Sequence, residues 1–116
     1  MQDGYKSLIV WQKSVLLAKE VYRLTDQLPT RENFALADQM RRAAVSIPSN
    51  IAEGNRRSTK KDYAHFISIA HGSLAELETQ LLIAHDRYPK VSFQQLNSLT
   101  EEVSRMLFSL GNKLRG

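Results

Sequence analysis

The chain has 116 residues, with sixteen Lys plus Arg against twelve Asp plus Glu, three His and no Cys; 42% of it is apolar and 24% charged. That length suits one domain spanning 1–116, with the balance of a folded globular chain rather than a disordered one. The composition excludes disulfides, thiolate zinc sites and a cysteine nucleophile, and no apolar run approaches the roughly 18 residues of a membrane span.

The N-terminus does not read as a signal peptide, because Lys6 is followed only by the short run Leu8-Ile9-Val10-Trp11. The expectation is a cytoplasmic protein without a membrane partner. Strand signals are nearly absent, with no sustained alternation and no Asn-Gly or Asp-Gly hairpin between β-branched runs. Helical periodicity marks four segments instead. In the first, Leu8, Trp11, Val15, Ala18, Tyr22 and Thr25 recur at three- and four-residue steps. Val21, Leu24 and Leu28 widen that stripe, and Leu28-Pro29 ends it, since the residue before a proline avoids the helical region.

The second segment is expected to open near Thr30 as N-cap, with Glu32 in the first turn where the helix dipole favours an anion. Leu36, Met40, Ala43, Ile47 and Ile51 mark its apolar face. Pro48 falls inside this pattern and predicts a kink, because its ring crowds the carbonyl of Ala44 and one hydrogen bond is lost. Gly54 suits the left-handed position past a helix end, and Gly54-Asn55-Arg56-Arg57-Ser58 reads as a turn.

Thr59-x-x-Asp62 has the form of a capping box and opens the third segment. Tyr63, Phe66, Ala70, Ser73, Leu77, Leu81, Ala84 and Tyr88 follow, broadened by Ile67, Leu74 and Leu82, before Tyr88-Pro89 stops the helix. The small pair Gly72-Ser73 suits close approach by another helix. Ser92-x-x-Gln95 predicts a second capping box, ahead of Leu96, Leu99, Val103, Met106, Leu107, Leu110 and Leu114. Segments of roughly 20–28 residues make rods about 30–40 Å long. Matched rods with short connections predict an all-α, antiparallel up-down-up-down four-helix bundle.

The positive charge is concentrated. Arg41, Arg42, Arg56, Arg57, Lys60 and Lys61 face one acid, Glu53, within a single stretch, a local +5 in a chain of net +4. Such a patch attracts polyanions, nucleic acid being the commonest, although it also serves as plain solubilising surface. Arg56, Arg57, Lys60 and Lys61 are the candidate phosphate contacts, with Arg41 assisting if exposed.

The second segment also carries a polar stripe of Gln39, Arg42, Ser46, Ser49 or Asn50, and Glu53, and the third offers Ser73, Glu76 and Gln80 at the same spacing. Serine and asparagine in mid-helix usually answer to a partner, because they compete with the backbone for hydrogen bonds. Solvent-facing surface, an internal network and a seam between subunits all fit this pattern. Arg42 and Glu76 are candidates to pair across helices or between subunits.

Catalytic and metal chemistry find little footing. Bundle di-iron sites use Glu-x-x-His from two helices, and here only Asp62-x-x-His65 comes near. His65, His71 and His85 are spaced by six and fourteen residues, which does not bring three of them to one ion. The arginine and histidine of a helical-bundle ribonuclease stand four to six residues apart, whereas Arg57 and His65 are eight apart. Asp62, His65 and Ser68 share a helical face but lack a nucleophile elbow. The glycines at 4, 54, 72, 111 and 116 form no phosphate-cradling loop. Trp11, Tyr22, Tyr63, Phe66 and Tyr88 fall at core spacing and read as packing rather than base-stacking platforms. No metal, cofactor or enzymatic activity is expected.

The stretches QMRRAAVSIPSNIAEG at 39–54 and IAHGSLAELETQL at 69–81, with Leu8-x-x-Trp11-Gln12-Lys13 and Val21-Tyr22, resemble the bacterial 23S rRNA-intervening sequence proteins. That family is similar in turn to the accessory variability determinant of diversity-generating retroelements, a homopentamer that binds a reverse transcriptase and nucleic acid. The resemblance implies a non-enzymatic, ring-forming bundle associated with RNA or DNA, with a reverse transcriptase as a further possible partner. A ring needs one patch docking on a different patch of its neighbour, and the Arg42 and Glu76 stripes are candidates for the two. The rival expectation is a protein-interaction scaffold in which the basic turn is incidental.

Overall fold

Four helices and two single 3₁₀ turns organise the chain in a computed structural model, which describes residues 4–116; no strand occurs among the described residues. The helices are α1 (Ile9–Thr25), α2 (Leu36–Asn55), α3 (Lys60–Arg87) and α4 (Gln94–Arg115), and the turns are Gly4–Ser7 and Thr30–Glu32. Each helix packs on its sequence neighbours, α1 closes the ring against α4, and the α2–α3 pair is the most extensive. Arg41 near the start of α2 donates to the Thr25 hydroxyl at the end of α1, 3.0 Å away. Arg87, ending α3, meets Glu32 ahead of α2 at 3.2 Å, and Lys13 of α1 pairs with Glu102 of α4 at 3.4 Å. These contacts are consistent with the expected up-down-up-down order. The 43 Å long axis is about the length of the 28-residue α3.

Leu17, Val21, Met40, Ile47, Ile51, Ile67, Leu74, Leu77, Leu96, Val103 and Leu107 are fully buried and form the core. In α1 the inward face lies to one side of the stripe expected from spacing. Val10, Leu17, Val21 and Leu24 point inward, Leu8, Trp11 and Val15 sit at the margin, and Tyr22 is 48% exposed. Ile9 and Leu16 on the outer side make α1 apolar on more than one face, so periodicity does not single out the buried one. Leu82, expected on the α3 face, is 64% exposed. The buried hydroxyls of Ser14, Thr25 and Thr100 donate to the carbonyls of Trp11, Tyr22 and Asn97 one turn back, so each is satisfied within its own helix. Pro48 is buried inside α2, and the helix runs through it.

The capping expectations divide. Thr59 Oγ1 accepts the Asp62 amide at 3.1 Å, as its spacing predicts. Thr30 instead begins a 3₁₀ turn, and α2 starts only at Leu36. Glu32 turns inward, is buried, accepts from the Tyr88 hydroxyl and pairs with Arg87. The tertiary partners outcompete the helix dipole. Ser92 makes no cap, because α4 begins at Gln94 behind the buried Phe93, whose ring packs edge-on against His85 at 5.8 Å.

Gly54 lies within α2 rather than in the left-handed region past its end. A Cβ there would stand 2.8 Å from the Phe66 Cβ and 3.0 Å from the Tyr63 ring, so its missing side chain lets α3 approach α2. Gly72 shows the opposite, since a Cβ there meets nothing within 4 Å. The close approach expected at Gly72-Ser73 belongs to Ser73 alone, whose hydroxyl lies 2.8 Å from that of Ser46.

Alanine at these two glycines is therefore expected to act in opposite directions. Gly54→Ala lowers the unfolding free energy read from urea titration by an overpacking cost of about 1–3 kcal/mol that outweighs its better helix propensity, whereas Gly72→Ala raises it by about 0.5–1 kcal/mol. Acid titration is the second check. The Tyr88 hydroxyl, and after it the Leu36 amide and Arg87, hold the Glu32 carboxyl below its ordinary value of 4.5 despite burial. The unfolded chain then binds the proton more readily, so this contribution is complete above about pH 4.5 and disappears as pH falls through the lowered value. Glu32→Gln removes that segment from a plot of urea midpoint against pH.

Candidate nucleic-acid interface

An antiparallel bundle of four rods places the start of α1, the end of α2, the start of α3 and the end of α4 together. Arg56, Arg57, Lys60 and Lys61 occupy the α2–α3 connection at this end. The preceding 3₁₀ turn adds Lys6 and the last turn of α4 adds Lys113 and Arg115. Tyr5 joins the turn to the connection, its ring lying 5.4 Å under the Arg56 guanidinium. Arg115 and Leu114 share a surface cleft with Lys61. Sequence reading missed Lys6, Lys113 and Arg115, although the predicted topology contains the signal, since an even number of rods returns the chain to the end at which it began.

Two of the arginines are held in place. The Arg57 guanidinium lies 4.7 Å from the Phe66 ring centroid and donates to Glu53 at 2.8 Å, while Arg56 stacks on Tyr5. Stacking covers a guanidinium face and leaves edge N–H donors for an anion. Lys60 and Lys61 are exposed and form no ion pair among the described residues. Among the described residues, Lys6, Arg56, Arg57, Lys60, Lys61, Lys113 and Arg115 against Glu53 and Asp62 give this end a side-chain excess of +5.

Arg41 and Arg42 do not belong to it. They lie fourteen or more residues back along α2 from Arg56, about 20 Å at helical rise. Arg41 has only 20% of its side chain exposed, donates to Thr25, faces Asp26 at 3.8 Å and stacks over Tyr22 at 5.7 Å. Adjacency in sequence grouped residues that the helix axis separates.

The polar stripe resolves into a groove between α2 and α3. Gln39, Arg42, Ser46, Ser73, Glu76 and Gln80 line it with Ala43. Asn50 joins through its amide, which donates to the Ser46 carbonyl at 2.8 Å and hydroxyl at 2.9 Å. Glu53 is drawn away to Arg57. Arg42 pairs with Asp38 at 3.0 Å and not with Glu76, because a partner one turn back on the same helix is nearer than one across the groove. The Gln80 Oε1 atom is buried without a hydrogen-bond partner.

The histidines are dispersed. His71 lies 3.2 Å from the Ser104 hydroxyl, His85 packs on Phe93 and His65 on Phe66 at 5.6 Å. Among the described residues no group of His, Cys, Asp and Glu could hold a metal ion, and no helix is long and apolar enough to cross a membrane. The Asp62 amide donates to the capping Thr59 hydroxyl, and no hydrogen bond joins Asp62 to His65 or Ser68 among the described residues.

The family model of the 23S rRNA-intervening sequence proteins matches residues 6–109, which includes all of α1, α2 and α3 and most of α4. The chain belongs to this family. No curated protein matches it. The match takes in both the groove and the α2–α3 connection of this family member, whereas Lys113 and Arg115 lie beyond it.

Separation of Arg41 from the basic end has a direct consequence. Arg41→Gln is expected to lower the unfolding free energy read from urea titration by about 1 kcal/mol through its lost bond to Thr25. Nucleic-acid affinity measured on the same variant changes less than it does with Arg56→Gln.

Proposed function

We propose that this family member is a non-enzymatic, homo-oligomeric protein that binds structured RNA or DNA through the basic end of its bundle. The observation that carries the reading is the convergence on one end of seven basic side chains from three separate parts of the chain, against two acids among the described residues. Family membership supports RNA as the polyanion. With no base-reading motif on this surface, shape and charge dominate recognition, and affinity comes from counterion release.

Assembly multiplies the effect. One bundle offers a modest charge, whereas a ring of several presents its basic ends together and gains avidity. The resemblance to the accessory variability determinant supports a pentamer and, with it, a reverse transcriptase as a second partner. The α2–α3 groove supports a subunit seam, since Gln39, Arg42 and Glu76 line it with exposed side chains and the buried Gln80 Oε1 beside them lacks a partner. The same groove also supports the second reading, a scaffold docking another protein, with the basic end incidental. In either reading the protein works in the cytoplasm.

Titrating a structured RNA and a DNA duplex across salt concentrations tests the proposal. Affinity should fall log-linearly with salt, with a slope near −0.9 per phosphate neutralised on duplex DNA. Replacing Arg56, Arg57, Lys60 and Lys61 together by Gln should make that slope shallower by about two to four. Salt-insensitive binding, or a protein partner retained after nuclease treatment and after the same replacement, favours the scaffold. Light scattering showing a monomer removes the assembly.

A further inference from the structure

Between the start of α3 and the end of α4 a cleft of about 440 Å³ is lined by Lys61, Ala64, His65, Ser68, Leu114 and Arg115. Its walls are chemically uneven. Lys61, His65 and Ser68 lie on one face of α3 within two turns of its start, and Arg115 faces them from the last turn of α4. Ala64 is buried and Leu114 half-buried, so the floor is apolar. No carboxylate lines the cleft, and neither Lys61 nor Arg115 forms an ion pair among the described residues.

The arginine is seated rather than trailing. Its guanidinium donates to Asn112 Oδ1 at 3.1 Å and folds over Gly111, where a Cβ would come within 3.1–3.3 Å of the guanidinium nitrogens. The buried glycine thus leaves the space that the guanidinium occupies. His65 is steadied by its edge-on contact with Phe66, the ring that also carries Arg57. Two cations on different helices, an imidazole and a hydroxyl converge over an apolar floor. That combination suits one phosphate group, with Lys61 as a point charge and Arg115 as a planar multiple donor.

We infer that this cleft is a discrete phosphate-binding site, in which Lys61 and Arg115 hold the anion from opposite walls and His65 and Ser68 supply further hydrogen bonds. The inference deepens the nucleic-acid reading by locating one phosphate within the basic end. It applies equally to an internal phosphodiester and to a terminal monoester, the apolar floor taking the attached sugar.

Backbone amide shifts of the whole chain, followed by NMR, test it with inorganic phosphate as the first probe. Phosphate should move the amides of residues 61–68 and 111–115 and leave those around Lys6 and Arg56 in place. Lys61→Gln and Arg115→Gln should each weaken binding by about five- to ten-fold, while Lys60→Gln, outside the cleft, changes it less than about two-fold. All three side chains are exposed, so the variants remain folded. A short RNA lacking a terminal phosphate that displaces inorganic phosphate identifies the phosphodiester. Displacement only by the 5′-phosphorylated RNA identifies the monoester. Shifts spread evenly over Lys6, Arg56, Lys60 and Lys113, or equal effects of Lys61→Gln and Lys60→Gln, overturn the cleft while leaving RNA binding intact. Phosphate confined to the cleft in a protein that binds no RNA would uphold the cleft and overturn the nucleic-acid reading.

Discussion

The approach of α2 to α3 at Gly54 governs how the basic end is built. With no side chain at this position, the Phe66 Cβ and the Tyr63 ring press directly on the α2 backbone, and the two helices make the most extensive pair in the bundle. The close approach lies one turn from the short connection between α2 and α3, which Thr59 ends by capping α3. Phe66 has a second task at the same spot, offering its ring to Arg57. The same Phe66 thus meets the α2 backbone at Gly54 and carries an arginine on the rim of the turn.

The electrostatics of that end are cooperative in their geometry. Lys6, Arg56, Arg57, Lys60, Lys61, Lys113 and Arg115 repel one another, and crowding them costs stability unless something offsets it. Aromatic faces beneath Arg56 and Arg57, Glu53 beside Arg57 and Asn112 beside Arg115 do so without neutralising the surface. The opposite end of the bundle is organised differently, with Glu32, Tyr88 and Arg87 tying the 3₁₀ turn to the end of α3, and Arg41 tying α2 to Thr25. Charge there is consumed in holding the fold, whereas at the basic end it is displayed.

Much of the architecture was legible from spacing alone. Four apolar stripes, the prolines at 29 and 89, and the Thr59-x-x-Asp62 cap locate the helices because period and capping are local properties, decided within a few residues. The errors cluster where the deciding partner is distant in sequence. Glu32 looked like a first-turn anion until Tyr88 and Arg87 claimed it, and Ser92 looked like a cap until burial of Phe93 started α4 at Gln94. Gly54 carried a real signal with the wrong cause, since a glycine that ends a helix and one that admits a neighbouring helix are the same letter. The outer apolar residues Ile9 and Leu16 blurred which side of α1 faces inward.

For the candidate site the same division holds. The amino-acid order alone established an all-α chain, the Arg56–Lys61 cluster and the polar letters of α2 and α3, for each depends on composition or on a helical period. Folding removed Arg41 from the cluster, recruited Lys6, Lys113 and Arg115 to it, and turned two separate stripes into a groove. These outcomes rest on how antiparallel helices bring their ends together and on which side chain reaches which neighbour. Such distances are set across the bundle by close packing, and nothing local in the chain encodes them.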